Sequence, residues 1–384
     1  MTDMAKLGDV LTLDAEPERI DDTAHETFVT VRSKCGGAVE RPIKDGKIPV
    51  AFTGYRIHSG QLIYSRIDAR NSAFAIVPDE LDGAVVSKDF PVFRINESMI
   101  MPAYLMHFFR AGMLQRVIQK HSKGITNRQR IKEDELLAFP IPLPSLDEEH
   151  RIVEILDRVD AIRAKRRRML ADFDELKQSV FAEISGSDQF PTVKSGDVIL
   201  GMRNGVSPSK KGAVHATVLT LSAITQGVFD TSAVKDGTFD VEPASDKRVT
   251  NRDFYMCRGN GNKALVGVGA YSTENRPDLV FPDTVIAGTV DENRVLLPYL
   301  EMIWRSRPVR NQIEQSARTT NGTYKVNQQS LANIDVPLPP ISLQREFARQ
   351  VEAIAAARAK VERALALDDE LFASLQSRAF RGEL

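Results

Sequence analysis

The chain has 384 residues, of which 42% are hydrophobic and 27% are charged, and its formal net charge is −1. This length exceeds what one core usually organises, so it predicts two or three domains. No run of about 18 apolar residues is present, which excludes a membrane-spanning helix of the ordinary kind. Because the net charge is close to zero, binding to nucleic acid requires Lys and Arg to be concentrated locally.

The first six residues and the cysteines bear on the cellular compartment. Residues 1–6 show neither a basic start nor an apolar stretch with a small-residue cleavage site behind it, so we expect no secretory signal and a cytoplasmic location. Cys35 and Cys257 are the only cysteines, far apart and in unrelated contexts. They predict neither a disulfide framework nor a cysteine metal site, and buried thiols are the simplest interpretation.

Two parts of the chain resemble each other at an offset of about 195 residues, which makes an internal repeat the main organising feature. The copies share a frame but match poorly in their middle regions, and the offset is slightly shorter at their starts. The shared features are a Lys-x-Gly-Asp-Val start, a Tyr-Leu pair and a Pro-Leu-Pro segment, at 6–10 and 194–198, 104–105 and 299–300, and 142–144 and 337–339.

Each copy is predicted to contain short strands followed by a short helix. The helices begin near Pro102 and Pro298, because proline is favoured in the first helical turn. Runs of β-forming residues bounded by turn residues predict the strands. These runs lie at 60–65, 73–77 and 91–95 in the first copy, and at 264–268 and 283–287 in the second.

After each Pro-Leu-Pro segment, apolar residues recur at steps of three and four, which is typical of a long helix. The series run from Ile152 to Val180 and from Phe347 to Leu375. A helix over about 145–183 would be about 57 Å long, so we expect two rods that pair with each other and separate two modules. A purely structural coiled coil fits the same pattern, but it does not explain the similar modules before both helices.

The residues around the Pro-Leu-Pro segments resemble the specificity subunits of Type I restriction-modification systems. In that family a Pro-Leu-Pro-Pro-Leu segment followed by a Gln opens each conserved spacer helix. The first copy departs slightly, with Ser145 and Glu149 where Pro and Gln are more usual. The matching segments are 139–146 with 149–153, 336–341 with 344–347, a target-recognition segment at 60–68 and the closing segment 380–384.

The resemblance implies an α+β fold, in which two similar α/β target-recognition domains are separated by two long antiparallel coiled-coil spacer helices. Each recognition domain is expected to read one half of a bipartite target in double-stranded DNA, while the spacer helices set the gap. Half-sites on one face of B-DNA lie about 34 Å apart, a distance such rods can hold. The expected boundaries are 1–144 and 187–340 for the recognition domains and 145–186 and 341–384 for the spacer helices.

The resemblance also implies partners and places the chemistry on them. Two methyltransferase subunits are expected to dock on the spacer helices, to carry S-adenosylmethionine and to methylate adenine, whereas separate restriction/translocase subunits cleave DNA. This chain is expected to hold no cofactor and no metal, and to have no catalytic site. The apolar residues expected to contact the methyltransferase subunits are Ile152, Ile155, Val159, Phe347, Val351 and Ile354.

Two polar, basic segments at equivalent positions of the repeat, 123–130 and 318–325, are candidate DNA-binding segments. Arg, Lys, Asn and Thr are side chains that contact base edges and phosphates. Solvated loops that merely join a helix to a strand are the alternative. The candidates are Lys123, Thr126, Asn127, Arg128, Arg130, Arg318, Thr320, Asn321, Tyr324 and Lys325, with Arg66 and Lys263 added from other loops.

A second basic cluster, 163–168, lies within the first predicted long helix beside acidic residues. A solvated or subunit-facing helical surface is the favoured interpretation of this cluster.

Sequence motifs of catalysis are absent. The segment 259–263 lacks the spacing of a phosphate-binding loop, and neither a His-Glu-x-x-His motif nor the Asn/Asp-Pro-Pro-Tyr/Phe motif of adenine methyltransferases occurs. The six histidines form no ligand pair at helical spacing. We therefore predict a DNA-binding adaptor. The alternatives are an enzyme with an unrecognised site, tested by methylation with the isolated chain, and a coiled-coil scaffold, tested by sequence-specific DNA affinity.

Overall fold

The computed structural model describes residues 3–43, 49–115, 131–185, 190–209, 211–320 and 322–384. The chain divides into two compact units, which we call the first unit (Met1–Arg168 with Val361–Leu384) and the second unit (Met169–Lys360). Each unit combines a globular part with a portion of both long helices. The fold contains helices and sheets together, so the predicted α+β class is confirmed.

The first unit contains short strands, short helices and the start of the first long helix. Its described strands are β1 (Asp3–Lys6), β2 (Leu11–Leu13), β3 (Pro17–Ile20), β4 (Val29–Val31), β5 (Ala38–Glu40), β6 (Phe52–Arg56), β7 (Leu62–Tyr64), β8 (Phe74–Ile76), β9 (Val85–Ser87), β10 (Val92–Ile95) and β11 (Pro140–Leu143). Its described helices are α1 (Leu7–Val10), α2 (Pro102–Arg110), α3 (Glu133–Leu137) and the first long helix, α4 (Leu146–Ser185), which continues into the second unit.

The second unit repeats this plan with longer strands. Its described strands are β12 (Thr192–Lys194), β13 (Ile199–Asn204), β14 (Val214–Leu219), β15 (Val234–Phe239), β16 (Arg248–Val249), β17 (Asp253–Cys257), β18 (Gly259–Asn260), β19 (Gly269–Tyr271), β20 (Arg276–Val280), β21 (Val285–Val290), β22 (Arg318–Thr320), β23 (Thr323–Lys325) and β24 (Asp335–Pro337). Its helices are α5 (Ser222–Thr225), α6 (Leu297–Trp304), α7 (Arg307–Ser316), α8 (Gln328–Ala332) and the second long helix, α9 (Ile341–Ala379), which ends in the first unit.

Two sheets have the same topology in both units. A four-stranded antiparallel sheet has the order β2-β10-β7-β8 in the first unit and β13-β21-β17-β19 in the second. A two-stranded ribbon, β1-β11 or β12-β24, pairs the first strand of each globular part with its Pro-Leu-Pro segment. The sequence repeat is therefore a repeat of topology.

A further sheet in each unit shows where the copies diverge. In the second unit β14 and β15 form a six-residue antiparallel hairpin, and β14 runs parallel to β20. The first unit has a three-residue hairpin, β4-β5, and a single parallel bridge from Phe28 to Val85 on β9. The strand neighbours correspond, but the lengths differ, which explains the poor sequence match in the middle of the copies.

Each unit has an apolar core that extends onto the long helices. In the first unit the rings of Phe74 and Phe109 stack with centroids 4.1 Å apart, and Phe380, near the end of the chain, packs edge-on against Phe108. In the second unit Trp304 packs against Phe254 and donates a hydrogen bond to a backbone carbonyl. Burial of such aromatic pairs is a major stabilising contribution to small cores.

The long helices lie within the segments predicted for them. The first, Leu146–Ser185, falls inside 145–186, and the second, Ile341–Ala379, falls inside 341–384. The domain boundaries themselves stay a prediction. Within the described part of the chain, no helix has the length and apolar character needed to cross a membrane.

One predicted strand is wrong. Residues 264–268 do not form a strand; Lys263–Leu265 is a turn of 3-10 helix instead. The side-chain oxygen of Asn262 accepts a hydrogen bond from the backbone N–H of Ala264 at 3.0 Å, and Gly267 has φ of +67°. An Asn cap followed by a left-handed glycine bends the backbone, so the apolar run cannot extend.

Candidate nucleic-acid interface and helix contacts

A β-hairpin brings together the candidate residues of the second copy. Strands β22 and β23 pair antiparallel, with Arg318 opposite Lys325, and the turn between them includes Gly322 at φ +72°. Strand β18 joins the same sheet, placing Gly259 opposite Lys325. Positive φ favours glycine, which explains the Gly in this turn. The result is a small three-stranded sheet in place of a simple loop.

Lys263 belongs to the same surface. Its ammonium lies 6.0 Å from the centre of the Tyr324 ring, at the outer range of a cation–π contact. The turn that carries it is held from behind by Arg310, whose guanidinium donates to the carbonyls of Ala264 and Val266 at 3.1 and 2.8 Å. These two hydrogen bonds fix the backbone position of Lys263.

We call Lys263, Arg318, Tyr324 and Lys325, with Asn260 and Asn262, the hairpin patch. Its three cations are exposed, and among the described residues none of them forms an ion pair. The patch is therefore a local concentration of positive charge on a chain whose net charge is −1. Such a surface attracts phosphate groups.

The sequence analysis missed Asn260 and Asn262. The side-chain oxygen of Asn260 accepts from the N–H of Asn262 at 2.9 Å, and Asn262 caps the next turn in the same way. These turns use the oxygens and not the Nδ2 amino groups, which remain donors for a partner. Sequence reasoning tested segment 259–263 only for the spacing of a phosphate-binding loop. Its alternating Gly and Asn residues also predict tight turns in which Asn side chains bond the backbone.

Five candidate residues of the first copy and two of the second are not described by the structure, or not in their side chains. Lys123, Thr126, Asn127, Arg128 and Arg130 lie outside the described residues, as does Asn321 in the second copy. The side chain of Thr320 is not described either. These assignments stay predictions.

Arg66 forms an ion pair inside the first unit. Its guanidinium pairs with the carboxylate of Glu133, and both side chains are only 23% exposed. Glu133 opens α3, so the pair ties the segment after β7 to that helix. The charge of Arg66 is thus largely compensated, which makes it a weaker candidate for DNA contact than the cations of the hairpin patch.

The basic run 163–168 was expected to be solvated or to face another subunit. Arg167 is 50% exposed, whereas Arg163 is only 15% exposed and faces the second long helix. Arg163 donates to Asp369 of the second long helix at 2.6 Å and lies over the ring of Phe372, 4.3 Å from its centre. Arg166 pairs with Asp368, and Arg167 with Asp369. The acidic partners lie about 200 positions away, so the local charge pattern did not reveal them.

The same ion pair occurs in the second unit. Arg358 donates to Asp174 at 2.5 Å. Arg163 corresponds to Arg358, and Asp174 to Asp369, at the repeat offset of about 195 residues. Each unit therefore contains the same arginine–aspartate contact between its portions of the two long helices, with the donor helix exchanged. Reciprocal contacts of this kind characterise a two-fold interface.

The residues predicted to contact methyltransferase subunits fall into two groups. Ile152 and Phe347 are 3% and 0% exposed and belong to the cores of their own units, so their side chains are not available on the surface. Ile155, Val159 and Ile354 are half-buried.

Val351 is half-buried as well and lines a groove. The groove has a volume of about 540 Å³, and its walls include Leu297, Pro298 and Ala355. It lies within the second unit, between the start of α6 and the second long helix.

In each copy the short helix with the Tyr-Leu pair is held by a matching contact to the Pro-Leu-Pro strand that precedes the long helix. The hydroxyl of Tyr104 donates to the carbonyl of Pro142 at 3.0 Å, and that of Tyr299 to Pro337 at 3.1 Å. These contacts explain why the Tyr-Leu and Pro-Leu-Pro features recur together. We call the Tyr104–Pro142 contact together with the contacts of Glu149 the first joint. The Tyr299–Pro337 contact together with the contacts of Gln344 is the second joint.

Residues 4–170 match the family model described as the Type I restriction modification DNA specificity domain. The first copy is thus similar to the DNA specificity domain of that family. The match covers the ribbon β1-β11, the other three described sheets of the first unit and the first part of the first long helix. The family resemblance seen in the sequence motifs is therefore confirmed.

Relatives of known name agree with this family. The chain is 26% identical over 312 residues to the Type I restriction enzyme EcoKI specificity subunit of Escherichia coli strain K12, which covers 75% of this chain and 67% of the relative. It is 25% identical over 309 residues to the StySPI specificity subunit of Salmonella potsdam, covering 75% and 66%. The aligned part thus spans about two thirds of the length of these specificity subunits.

A solved structure shows the same fold. The chain is similar to one from a structural study of complex assembly and conformational transition in the type I restriction-modification system, with a TM-score of 0.62 and 20% identity. The similarity covers 100% of this chain and 98% of the other. At this identity the likeness establishes the fold.

The cysteines are buried, as expected. Desolvation raises the pKa of both Cys35 and Cys257 to about 11, so the reactive thiolate form is scarce at neutral pH. Within the described ranges, no group of three or more His, Cys, Asp and Glu side chains is placed to hold a metal ion.

Proposed function

We propose that this chain is the DNA-specificity subunit of a Type I restriction-modification complex. In this function each globular part reads one half of a bipartite target in double-stranded DNA, and the two long helices fix the gap between the halves. The observation that carries the proposal is the repeated sheet topology, since one copy matches the family model of a DNA specificity domain. The module occurs twice, and its hairpins differ in length between the copies. Two such modules can recognise two different half-sites.

The proposed subunit is not an enzyme. Two methyltransferase subunits carry S-adenosylmethionine and methylate adenine at the target, and restriction/translocase subunits act on DNA in the same cytoplasmic complex. The methyltransferases dock on the exposed faces of the long helices, with the half-buried Ile155, Val159 and Ile354 among the contacts. The groove at Val351 offers a further docking surface.

The reciprocal ion pairs support the proposed role of the helices. Arg163–Asp369 in the first unit and Arg358–Asp174 in the second are what an antiparallel pair of equivalent helices produces. Side chains held by partners on the other helix fix the register of the pair. A fixed register is what a spacer needs in order to hold two half-sites at one distance.

The hairpin patch is the proposed DNA-reading surface of the second unit. Lys263, Arg318 and Lys325 supply charge for phosphates, which positions the module without selecting bases. The amino groups of Asn260 and Asn262 are suited to acceptors on base edges. The equivalent surface of the first unit is assigned to 123–130.

The experiment is single-molecule methylome sequencing of cells that express this chain with its neighbouring methyltransferase, beside cells that lack only this chain. We expect N6-methyladenine at a split motif only when the chain is present. An unchanged methylation pattern contradicts the proposal and favours the scaffold alternative. Methylation by the isolated chain contradicts the non-catalytic assignment.

A further inference from the structure

Glu149 and Gln344 occupy equivalent positions near the start of the two long helices, and both side chains are 0% exposed. The Oε2 atom of Glu149 accepts from the N–H of Met101 at 2.6 Å, and the Oε1 atom of Gln344 accepts from the N–H of Leu296 at 2.9 Å. Met101 and Leu296 are the residues that precede α2 and α6. Each side chain therefore ties a long helix to the first turn of a short helix, where backbone N–H groups lack partners within the helix.

The second polar atom distinguishes the two joints. The Nε2 atom of Gln344 donates to the carbonyls of Arg294 and Pro339 at 3.0 and 2.9 Å. The corresponding atom of Glu149, Oε1, is buried and has no hydrogen-bond partner among the described residues. At the repeat offset, the carbonyls that match those two acceptors belong to Met99 and Pro144. An ionised carboxylate has no proton to donate to a carbonyl, whereas a carboxylic acid has one.

We propose that Glu149 is a neutral carboxylic acid in the folded chain and that its single O–H donates to one carbonyl, of Met99 or Pro144, where the amide of Gln344 donates to two. The first joint then weakens when this proton is lost. Glu149 thereby makes the first joint sensitive to pH, and the second joint, built on an amide, is not. The two joints share the contact to the N–H before the short helix, and they differ in the second polar atom, a carboxyl oxygen in Glu149 and an amide nitrogen in Gln344. Stability of the two units then depends differently on pH, whether or not the chain reads DNA.

The surroundings of Glu149 favour the neutral form. Burial raises the pKa of Glu149 to about 7, although the N–H of Met101 opposes the shift. On the α2 side the facing ionisable group is Tyr104, and the charge of Glu149 contributes to the raised pKa of that phenol. Among the described residues no Lys or Arg pairs with Glu149 to stabilise a carboxylate.

The other charged groups around the joint face solvent or pair with one another. On the first long helix, Glu148 pairs with Arg151 at 3.2 Å, and Asp147 and His150 are exposed. Before α2, Glu97 is exposed. At the end of the second long helix, within the first unit, Arg381 pairs with Glu383. None of these groups is placed to keep a buried carboxylate ionised.

The direction of the pH effect follows from linkage. The pKa of Glu149 lies above its ordinary value of 4.5 in the folded chain, so the folded state binds the proton more tightly than the unfolded state. The stabilising contribution is complete below about pH 4.5 and is lost as the pH rises through about 7. Above that range the folded state contains a buried charge without a counter-ion, which is unfavourable.

The test compares thermal unfolding of the full chain and of Glu149→Gln between pH 5 and pH 8.5. We expect the variant to gain stability over the wild type as pH rises, with the ratio of their unfolding constants changing on the order of 100-fold across this range. Glu148→Gln, at a part-exposed neighbouring position, is the matched control and should show no comparable change. A Glu149→Gln difference that is constant with pH, or that shrinks as pH rises, overturns the proposal.

Two further measurements test the proposal without relying on the stability of Glu149→Gln alone. Gln344→Glu should give the second unit the pH dependence that the first has, because it rebuilds the first joint there. Infrared spectra of the wild-type chain at pH 6 should show the C=O stretch of a protonated carboxyl that ionises near neutral pH and is absent in Glu149→Gln. Absence of that band in the wild type overturns the proposal even if the variants fold poorly.

Discussion

The hairpin patch presents three positive charges, on Lys263, Arg318 and Lys325. Beside them, Asn260 and Asn262 use their side-chain oxygens to form turns, and their Nδ2 amino groups take no part in those turns. The two kinds of side chain predict different phenotypes. A phosphate contact contributes equally on every sequence, whereas a base contact contributes only on the correct base. Substitutions in the hairpin patch can therefore separate affinity from specificity.

Lys325→Ala should weaken binding of the assembled complex to all DNA sequences alike. The reason is that one phosphate contact is lost, so the slope of log affinity against log salt should fall by about 1. Asn262→Ala should instead relax the preference at one base pair by about 1–3 kcal/mol. Fluorescence titrations at several salt concentrations measure both effects, with Lys88→Ala, at an exposed lysine between β9 and β10, as control. Equal effects of Lys325→Ala and Lys88→Ala would count against the patch.

At the scale of secondary-structure elements, ion pairs of the long helices differ in how far they are shielded from solvent. Arg163 is 15% exposed, bonded to Asp369 and packed over Phe372, whereas Arg349 pairs with Glu346 on the same helix and is 72% exposed. Exposed ion pairs contribute little to stability, and a shielded arginine that also covers an aromatic ring contributes more.

Arg163→Ala should therefore destabilise the chain by about 1–2 kcal/mol, since it removes one of the two arginines that pair with Asp369 and the contact with Phe372. Arg349→Ala is the matched control, with an expected effect within about 0.5 kcal/mol. Urea unfolding of the purified chain measures both. Indistinguishable midpoints for the two variants would show that the helix pair does not depend on this contact.

Phe347 and Ile354 lie two turns apart on the second long helix but in different environments. Phe347→Ala should cost about 3–5 kcal/mol in unfolding free energy, because Phe347 is fully buried against Tyr299 and Phe181. Ile354→Ala should cost much less and, under the proposed function, should weaken assembly with the methyltransferase. Urea unfolding and analytical ultracentrifugation distinguish the two effects. Equal stability of both variants would contradict the assignment of Phe347 to the core.

Periodicity and repeats predicted the elements that depend on local pattern. The long helices follow from apolar residues at steps of three and four, and α2 follows from Pro102 at its start. The strand predicted at 264–268 failed, because one side-chain cap at Asn262 decides that turn. Partners of Arg163 and Arg66 could not be predicted, since they depend on which distant segments the fold brings together.

At the scale of the whole molecule, duplication explains both what the copies share and where they differ. The ribbons, the four-stranded sheets and the tyrosine contacts of the joints are repeated, whereas the hairpins β4-β5 and β14-β15 differ in length. The conserved parts are those that attach a module to a helix. Under the proposed function, the divergent parts recognise different half-sites and the long helices set the gap between them.

The most direct test of this account exchanges one module and reads the target. Residues 192–337 are replaced by the corresponding module of a related specificity subunit, and the methylome is sequenced in cells that carry the methyltransferase. We expect a split motif in which one half is new, while the other half and the gap are those of the original chain. A motif that changes in both halves, or one that is identical to the original, would contradict the claim that each module reads its own half-site.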